Sequence, residues 1–335
     1  MINRVKKRHR YRSMFHMKDI TPNRLFGGAL SDWERIVLPE KISLEEKGNR
    51  KFLLQCIESL HVKARSGKKR FFLDFSCTKK IIAGGMLVLY AELKNLKNTD
   101  KYIQFKCSDG KTNQIRQVLK QTKIYALCRK KKAVAITRDD VVHWRVVTGL
   151  SAITDKYPDI IDKVEFENST TKQYLFSACT EATINVKKHA YLEGYQRLRH
   201  VDSNKELWWS FSQLKDNILT VLVYDLGVSI PETIPKKYPI AHRFVRLFKG
   251  ETDANLIRAG IEMPTSRTGK PNSGNGLPRI ASLARGYDTN TVCIQSRHGK
   301  VLISNKGTAC DNFNLPLHGT LISWCIDVRT NYESE

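Results

Sequence analysis

Residues 170–191 run without a glycine or proline, and two β-rich segments follow, 206–213 and 218–224, joined by Lys215-Asp216-Asn217. A helix that long buries a face only by lying on another layer. Its apolar residues Leu175, Cys179, Ala182, Val186 and Ala190 form a stripe suited to a sheet. The two segments after it read as an antiparallel hairpin. The end of the chain is β-rich again, in Thr-Val-Cys-Ile-Gln-Ser-Arg-His from Thr291, Val-Leu-Ile-Ser from Val301 and Gly-Thr-Leu-Ile-Ser-Trp from Gly319. The second half therefore reads as helices on a sheet.

The first half has a different pattern. Strand-like runs at 36–38, 71–76 and 102–107 alternate with helical stretches at 50–62, 83–96 and 113–119, which predicts a small α/β unit. Residues 1–34 form a basic arm, 35–135 the α/β unit, 136–164 a connector and 165–330 the second domain. At 335 residues, two domains are the expected number. The apolar run at 81–91 is far short of the roughly 20 residues of a membrane helix. The basic N-terminus lacks a signal peptide's apolar stretch. A cytoplasmic protein with no membrane partner is expected. Eight cysteines without a Cys-x-x-Cys spacing read as reduced thiols rather than a zinc site.

Of the net charge of +24, residues 1–150 carry +21 and the rest +3. The clusters are 4–12, 63–70 and 129–132. A face of that kind suits an acidic partner, nucleic acid being the commonest, although no helix-turn-helix, zinc-finger or RNA-binding signature accompanies it.

Three separated motifs carry the chemistry. Glu181, Asn185 and His189 are spaced by four on one helix, which lines up a carboxylate, a carboxamide and an imidazole, with Lys188 beside them. Asp225-Leu-Gly227-Val-Ser229-Ile230-Pro231 ends an apolar strand, placing a carboxylate at the mouth of a sheet. Ser273-Gly274-Asn275-Gly276-Leu277 is a glycine loop leading into a helix, a place where backbone amides suit phosphate. It is neither a Walker loop nor the dinucleotide fingerprint. Each motif alone also fits an ordinary surface helix, turn or loop.

In this order, however, they resemble the GHKL (Bergerat-fold) ATPases, which include histidine-kinase catalytic domains, gyrase B, MutL and the bacterial anti-sigma-factor serine kinases. That family reads Glu-x-x-x-Asn-Ala-x-Lys-His-Ala, matched by Glu181-Ala-Thr-Ile-Asn185-Val-Lys-Lys188-His189-Ala190. Its Asp-x-Gly-x-Gly-Ile-Pro is matched from Asp225 to Pro231 with Ser229 at the second glycine, its Gly-x-Gly-Leu by 274–277, and its closing Gly-Thr by Gly319-Thr320. The resemblance covers about 165–328 and implies an α/β sandwich whose mixed sheet is covered by helices on one face. It also implies ATP and Mg2+ as cofactors. Asn185 would hold the metal, and Asp225 would accept from the adenine amino group beside Gly227 and Ile230. Lys188 or His189 would face phosphate, as would the amides of Gly274, Asn275, Gly276 and Leu277, with Thr320 near the adenine. Glu181 matches the general base of members that hydrolyse or transfer phosphate. Residues 231–273 would be the lid, with Ser266, Arg267 and Thr268 over the phosphates.

Phe71-Phe-Leu-Asp74-Phe-Ser76, followed by the helix from Ala83, resembles the STAS domain over roughly 35–135. That family carries a phosphoacceptor serine at the helix start, where this chain has Ala83-Gly84-Gly85; Ser76 and Thr78 fall outside that register. Three functions follow from the two resemblances. The first is a Mg-ATP-binding regulator in which nucleotide orders the lid and controls a basic partner-binding half. The second is a serine/threonine protein kinase acting on a separate protein, and the third an ATP-gated nucleic-acid-binding protein.

Overall fold

The computed structural model describes residues 32–137, 144–150, 161, 164–195, 199–202, 207–237, 250–262, 276–284 and 289–329. In the first half, β1 (Glu34–Val37), β3 (Arg70–Asp74) and β5 (Gln104–Cys107) form a parallel sheet in the order β1-β3-β5. A second parallel pair joins β2 (Lys41–Ile42) to β4 (Lys80–Ile81). Helices α1 (Lys47–Arg65), α2 (Ala83–Thr99), α3 (Asn113–Gln121) and α4 (Ile124–Leu127) connect and cover them. In α1 the buried residues Arg50, Leu53, Leu54, Ile57, Leu60 and His61 fall at helical spacing, so one stripe faces inward. Helix α3 starts where the Thr112 side chain accepts from the Ile115 amide at 3.3 Å.

The second half is built on a five-stranded sheet in the order β6-β7-β8-β10-β9. Its strands are β6 (Arg145–Gly149), β7 (Trp208–Lys215), β8 (Ile218–Asp225), β9 (Thr291–Ser304) and β10 (Gly307–Asp327). Every neighbouring pair is antiparallel, so the expected mixed sheet is corrected. The β7–β8 turn takes positive φ at both Asp216 and Asn217, the geometry that matches the twist of a tight hairpin. Strand β6 comes from the stretch read as a connector; it supplies the sheet's edge, pairing from Arg145↔Ser212 to Gly149↔Trp208.

Alternation along these strands divides their side chains between two cores. Val221, Val223, Ile322 and Trp324 join the cluster containing Leu175, Cys179, Ile257 and Ile280, which come from α5 (Ser169–Asn185), α7 (Asp253–Glu262) and α8 (Gly276–Ser282). Leu222, Tyr224 and Leu321 face the other way and join the core of the first half. The sheet is therefore covered on both faces, not one. Helix α2 lies between the two halves, which explains why it is buried nearly all round, from Ala83 to Leu96. An ideal Cβ at Gly84 would sit 3.5 Å from Leu222 and Leu321, and one at Gly85 only 2.8 Å from the Ser43 amide.

Polar groups are sealed into this joint. His61 Nε2 lies 2.7 Å from Glu92 Oε2, and Arg199 donates to both Glu92 (3.2 Å) and Glu58 (2.9 Å). Burial opposes ionisation of Glu92, but the hydrogen bond from His61 and the nearby cations outweigh it and hold the carboxyl down at about 2. Nearby, Arg50 Nη1 donates to Gln295 Oε1 at 2.6 Å, crossing from α1 to β9.

In the described basic clusters, 63–70 and 129–132, six of the nine cations pair with the chain's own acids. Lys63 pairs with Glu34, Arg65 with Glu58, Lys69 with Asp100, Arg70 with Asp32, and both Lys130 and Lys132 with Asp109. The arm at 4–12 lies outside the described residues. No helix among the described residues is long and apolar enough to cross a membrane. The cysteines are free thiols, with Cys107, Cys128 and Cys179 buried and Cys77 and Cys310 exposed.

Candidate functional site

The long helix predicted over 170–191 begins at Ser169, where the Asn168 side chain accepts from the Thr170 amide at 2.7 Å. It runs as α-helix only to Asn185, and Val186–Ala190 form a π-turn. Glu181 and Asn185 keep the expected common face. Lys188 and His189 fall in the π-turn, where the residues per turn differ from those of the α-helix that carries Glu181 and Asn185. Lys188 is exposed and His189 half-buried.

The π-turn ends against the Asp225 motif. The Val228 amide donates to the Ala190 carbonyl at 2.5 Å. A Cβ at Gly227 would lie 2.2 Å from that same carbonyl oxygen, so only glycine allows this approach. The room that glycine makes at this point is filled by Ala190. Tyr191 adds a clasp: its hydroxyl donates to the Leu207 carbonyl at 2.6 Å and accepts from the Leu226 amide at 3.2 Å.

Asp225, at the end of β8, is 6% exposed. Its Oδ1 accepts from the Gly227 amide at 2.8 Å, and the Thr320 backbone also donates to the carboxyl. Burial dominates over these donors and pushes the Asp225 carboxyl up to about 7. Thr320 pairs with Asp225 across β10 and β8, directly after a register break between Leu317 and Thr320. Gly319, in the break, has φ +78°, and a Cβ there would lie 1.9 Å from the Asp225 carbonyl oxygen. A bulge that aims a strand end at a site is a recurring device.

The Ser229 carbonyl accepts from the Glu232 and Thr233 amides and so starts a helix, α6 (Ile230–Lys237), at the beginning of the stretch expected as the lid. The Ile230 amide donates to Ser296 Oγ at 3.1 Å. Ser296 Oγ in turn donates to the Gly319 carbonyl at 3.0 Å and lies 3.0 Å from Thr320 Oγ1. Ser296 was not among the sequence-predicted residues. A lone serine inside an apolar strand carries no signal in sequence.

Gly276 opens α8 directly over Asn185, where a Cβ would lie 3.0 Å from both Oδ1 and Nδ2 of the carboxamide. Leu277 packs on the core between the sheet and α5. Gly274 and Asn275 lie outside the described residues, as do Ser266, Arg267 and Thr268. Arg279, three residues beyond Gly276, forms an ion pair with Glu181, with side-chain exposures of 47% and 21%. Its place one turn into α8 was the available signal, because the turn returns it to the face bearing Gly276. The indole N–H of Trp324 ties α8 to β10, donating to the Ile280 carbonyl at 3.0 Å.

The structure thus brings Glu181, Asn185, Asp225, Gly227, Ile230, Gly276 and Thr320 to one end of one face of the sheet. No family model matches this chain, and a search of curated proteins finds no significant match. Among the described residues no group of three or more His, Cys, Asp or Glu side chains is placed to hold a metal ion. A Mg2+ ion that keeps most of its waters would need only one or two protein oxygens, and Asn185 is the side chain here that could offer one.

Proposed function

We propose that residues 165–329 form an adenine-nucleotide-binding domain of the GHKL (Bergerat) type, and that the chain is a Mg-ATP-binding regulator. The observation that carries this reading is the convergence of four motifs far apart in sequence. Gly227 meets the Ala190 backbone and Gly319 the Asp225 backbone, both at approaches that a larger residue would obstruct, while Gly276 meets the Asn185 carboxamide and Thr320 pairs with Asp225. The Asp225 carboxyl is the acceptor for an adenine amino group, and Asn185 is the protein ligand for Mg2+. Bound Mg2+ supplies charge neutralisation on the phosphates. Glu181, held by Arg279, orients a water or hydroxyl by accepting its proton.

Regulation would pass through the sheet. Strands β8 and β10 present Asp225 and Thr320 on the nucleotide side, and Leu222 and Leu321 on the side packed against the first half. Differential affinity of nucleotide for two arrangements of that joint is the energetic requirement.

A protein kinase acting on a separate protein is the second reading, and the start of α2 favours a separate substrate. In the STAS-like reading this is the acceptor position, yet it carries Gly84 and Gly85 packed against Leu222, Leu321 and Ser43. A third reading, ATP-gated nucleic-acid binding, requires the lysines paired with Glu34, Asp100 and Asp109 to exchange those partners for phosphate. It is tested by a DNA shift that weakens steeply with salt.

Calorimetry with the full chain, ATP and Mg2+ is the deciding measurement. Saturable heat is expected, weakened at least about tenfold, or about 1.4 kcal/mol, by Asp225→Asn and by Asn185→Ala. Absence of heat, or heat untouched by Asp225→Asn, rejects the nucleotide site. Label transfer from ATP to a protein, abolished by Glu181→Ala, would select the kinase reading. Arg279→Ala serves as a control on folding, because an ion pair this exposed is worth at most about 1 kcal/mol.

A further inference from the structure

On the opposite face of the sheet from Asp225 lies a half-open cleft of about 790 Å³, between the first half and β8, β9 and β10. That volume lies within the range of small-molecule sites, roughly 300–1,000 Å³. Its walls are of two kinds. Leu44, Ile81, Ile82, Leu222, Leu302 and Leu321 make it apolar, while Thr220, Thr291, Ser323 and Gln114 supply hydroxyl and amide groups.

The charge is one-sided. Lys79, Lys80, Lys215 and Lys300 line the cavity against a single acid, Glu45. Lys79 is answered by Glu40 at 2.9 Å, outside the cavity lining, and Lys215 by Asp216 at 3.7 Å. Lys80 and Lys300 form no ion pair among the described residues. Trp144, also in the lining and only 5% exposed, has an indole N–H with no hydrogen-bond partner. That N–H is itself sealed from the cleft, so it is a cost of packing the joint and not a contact offered to a ligand.

We infer that this cleft between the halves binds a small organic anion, one with an apolar or aromatic body and a carboxylate, sulfonate or phosphate group. The apolar walls would take the body. Lys80 and Lys300, one from each half, would take the charge. A ligand held this way touches both halves at once, through β4 and α2 on one side and the sheet on the other. The inference does not rest on the nucleotide reading, since the two sites lie on opposite faces of the sheet and share no residue. A volume of this size suits a compact ligand, and an extended acidic peptide is the competing occupant that the test separates.

The test uses 8-anilinonaphthalene-1-sulfonate as an anionic aromatic probe, titrated into the full chain and followed by fluorescence. A single saturable site is expected, with at least tenfold weaker binding of the neutral analogue N-phenyl-1-naphthylamine. The Lys80→Glu/Lys300→Glu double variant should lose at least tenfold in affinity. Ser323→Phe should abolish binding by filling the cavity, with circular dichroism and melting confirming that each variant is folded. Non-saturable binding, or equal affinity in both folded variants, overturns the proposal. So does competitive displacement by Mg-ATP, which would put the probe in the nucleotide site. Tight binding of hexaglutamate with exclusion of the probe would also overturn it, in favour of a peptide groove. Failure of ATP calorimetry would leave all of these outcomes unaffected.

Discussion

Asp225 and His318 are buried titratable groups whose shifts run in opposite directions. Burial raises the Asp225 carboxyl from an ordinary 3.8 to about 7. For His318, burial and then the Arg199 charge lower the imidazole from 6.5 to about 4. Between pH 4.5 and 6.5 the folded chain keeps a proton on Asp225 that the unfolded chain releases, so stability from this group falls as pH rises. In the same window the unfolded chain takes up a proton that folded His318 refuses, so stability from that group rises with pH. The two slopes nearly cancel, each being up to about 1.4 kcal/mol per pH unit. Melting curves should therefore be almost flat in pH for the natural chain, rise with pH for Asp225→Asn, and fall with pH for His318→Met. Slopes of the same sign in both variants would refute this assignment. Asp225 was legible from its place at the end of an apolar strand. His318 was not, since the charges that act on it, among them those of Arg199 and Glu92, come from residues more than 100 positions away in sequence.

At the scale of elements, the junction between the π-turn and the end of β8 is the point of least tolerance. Gly227→Ala places a methyl 2.2 Å from the Ala190 carbonyl oxygen and 2.4 Å from its Cβ, both fixed parts of the chain. Overpacking of that kind costs about 1–3 kcal/mol. Calorimetry on the refolded variant should also show nucleotide heat lost, because Asp225 and Asn185 would be pushed apart. Gly67→Ala is the contrasting substitution. No atom stands within 4 Å of its Cβ position, although φ is +95°. It should lower the melting temperature modestly through backbone strain and leave nucleotide heat unchanged. Equal nucleotide binding by the two variants would remove the structural reason for the Gly227 position. The helix starts expected at 113 and 170 lie within a residue of the observed Asn113 and Ser169, where Thr112 and Asn168 supply the caps. The π-turn was invisible, because its residues Val-Lys-Lys-His-Ala read as ordinary helix and only docking against Val228 selects the wider turn.

For the molecule as a whole, the decisive fact is that the two halves share one hydrophobic core. Leu53, Phe71, Leu89 and Leu93 of the first half belong to the same cluster as Leu222, Tyr224 and Leu321 of the second. Each fully buried leucine is worth roughly 2 kcal/mol relative to exposure, so neither half keeps its stability alone. Calorimetric melting should show one cooperative transition. A fragment spanning 144–329 should melt earlier and self-associate, because the outer face of its sheet would be bare. Two separate transitions, or a monomeric fragment with an unchanged melting temperature, would contradict the shared core. Arg199 reaches Glu58 and Glu92 across the same joint. Breaking a buried pair strands the remaining charge, which typically costs about 3–5 kcal/mol.

Local chemistry written in the sequence determined most of the helices and strands, the hairpin at Asp216-Asn217, and the motifs that carry the candidate site. Those properties depend on neighbours within a few positions, where periodicity, caps and turn residues act directly. The tertiary structure alone decided that the sheet is antiparallel throughout, that β6 belongs to it, and that its second face is closed by α2. It also decided that most basic clusters meet acids, and that a lysine-lined cavity lies between the halves. These depend on which surfaces meet. Burial and charge pairing between residues distant in sequence set that outcome, and no local pattern encodes either.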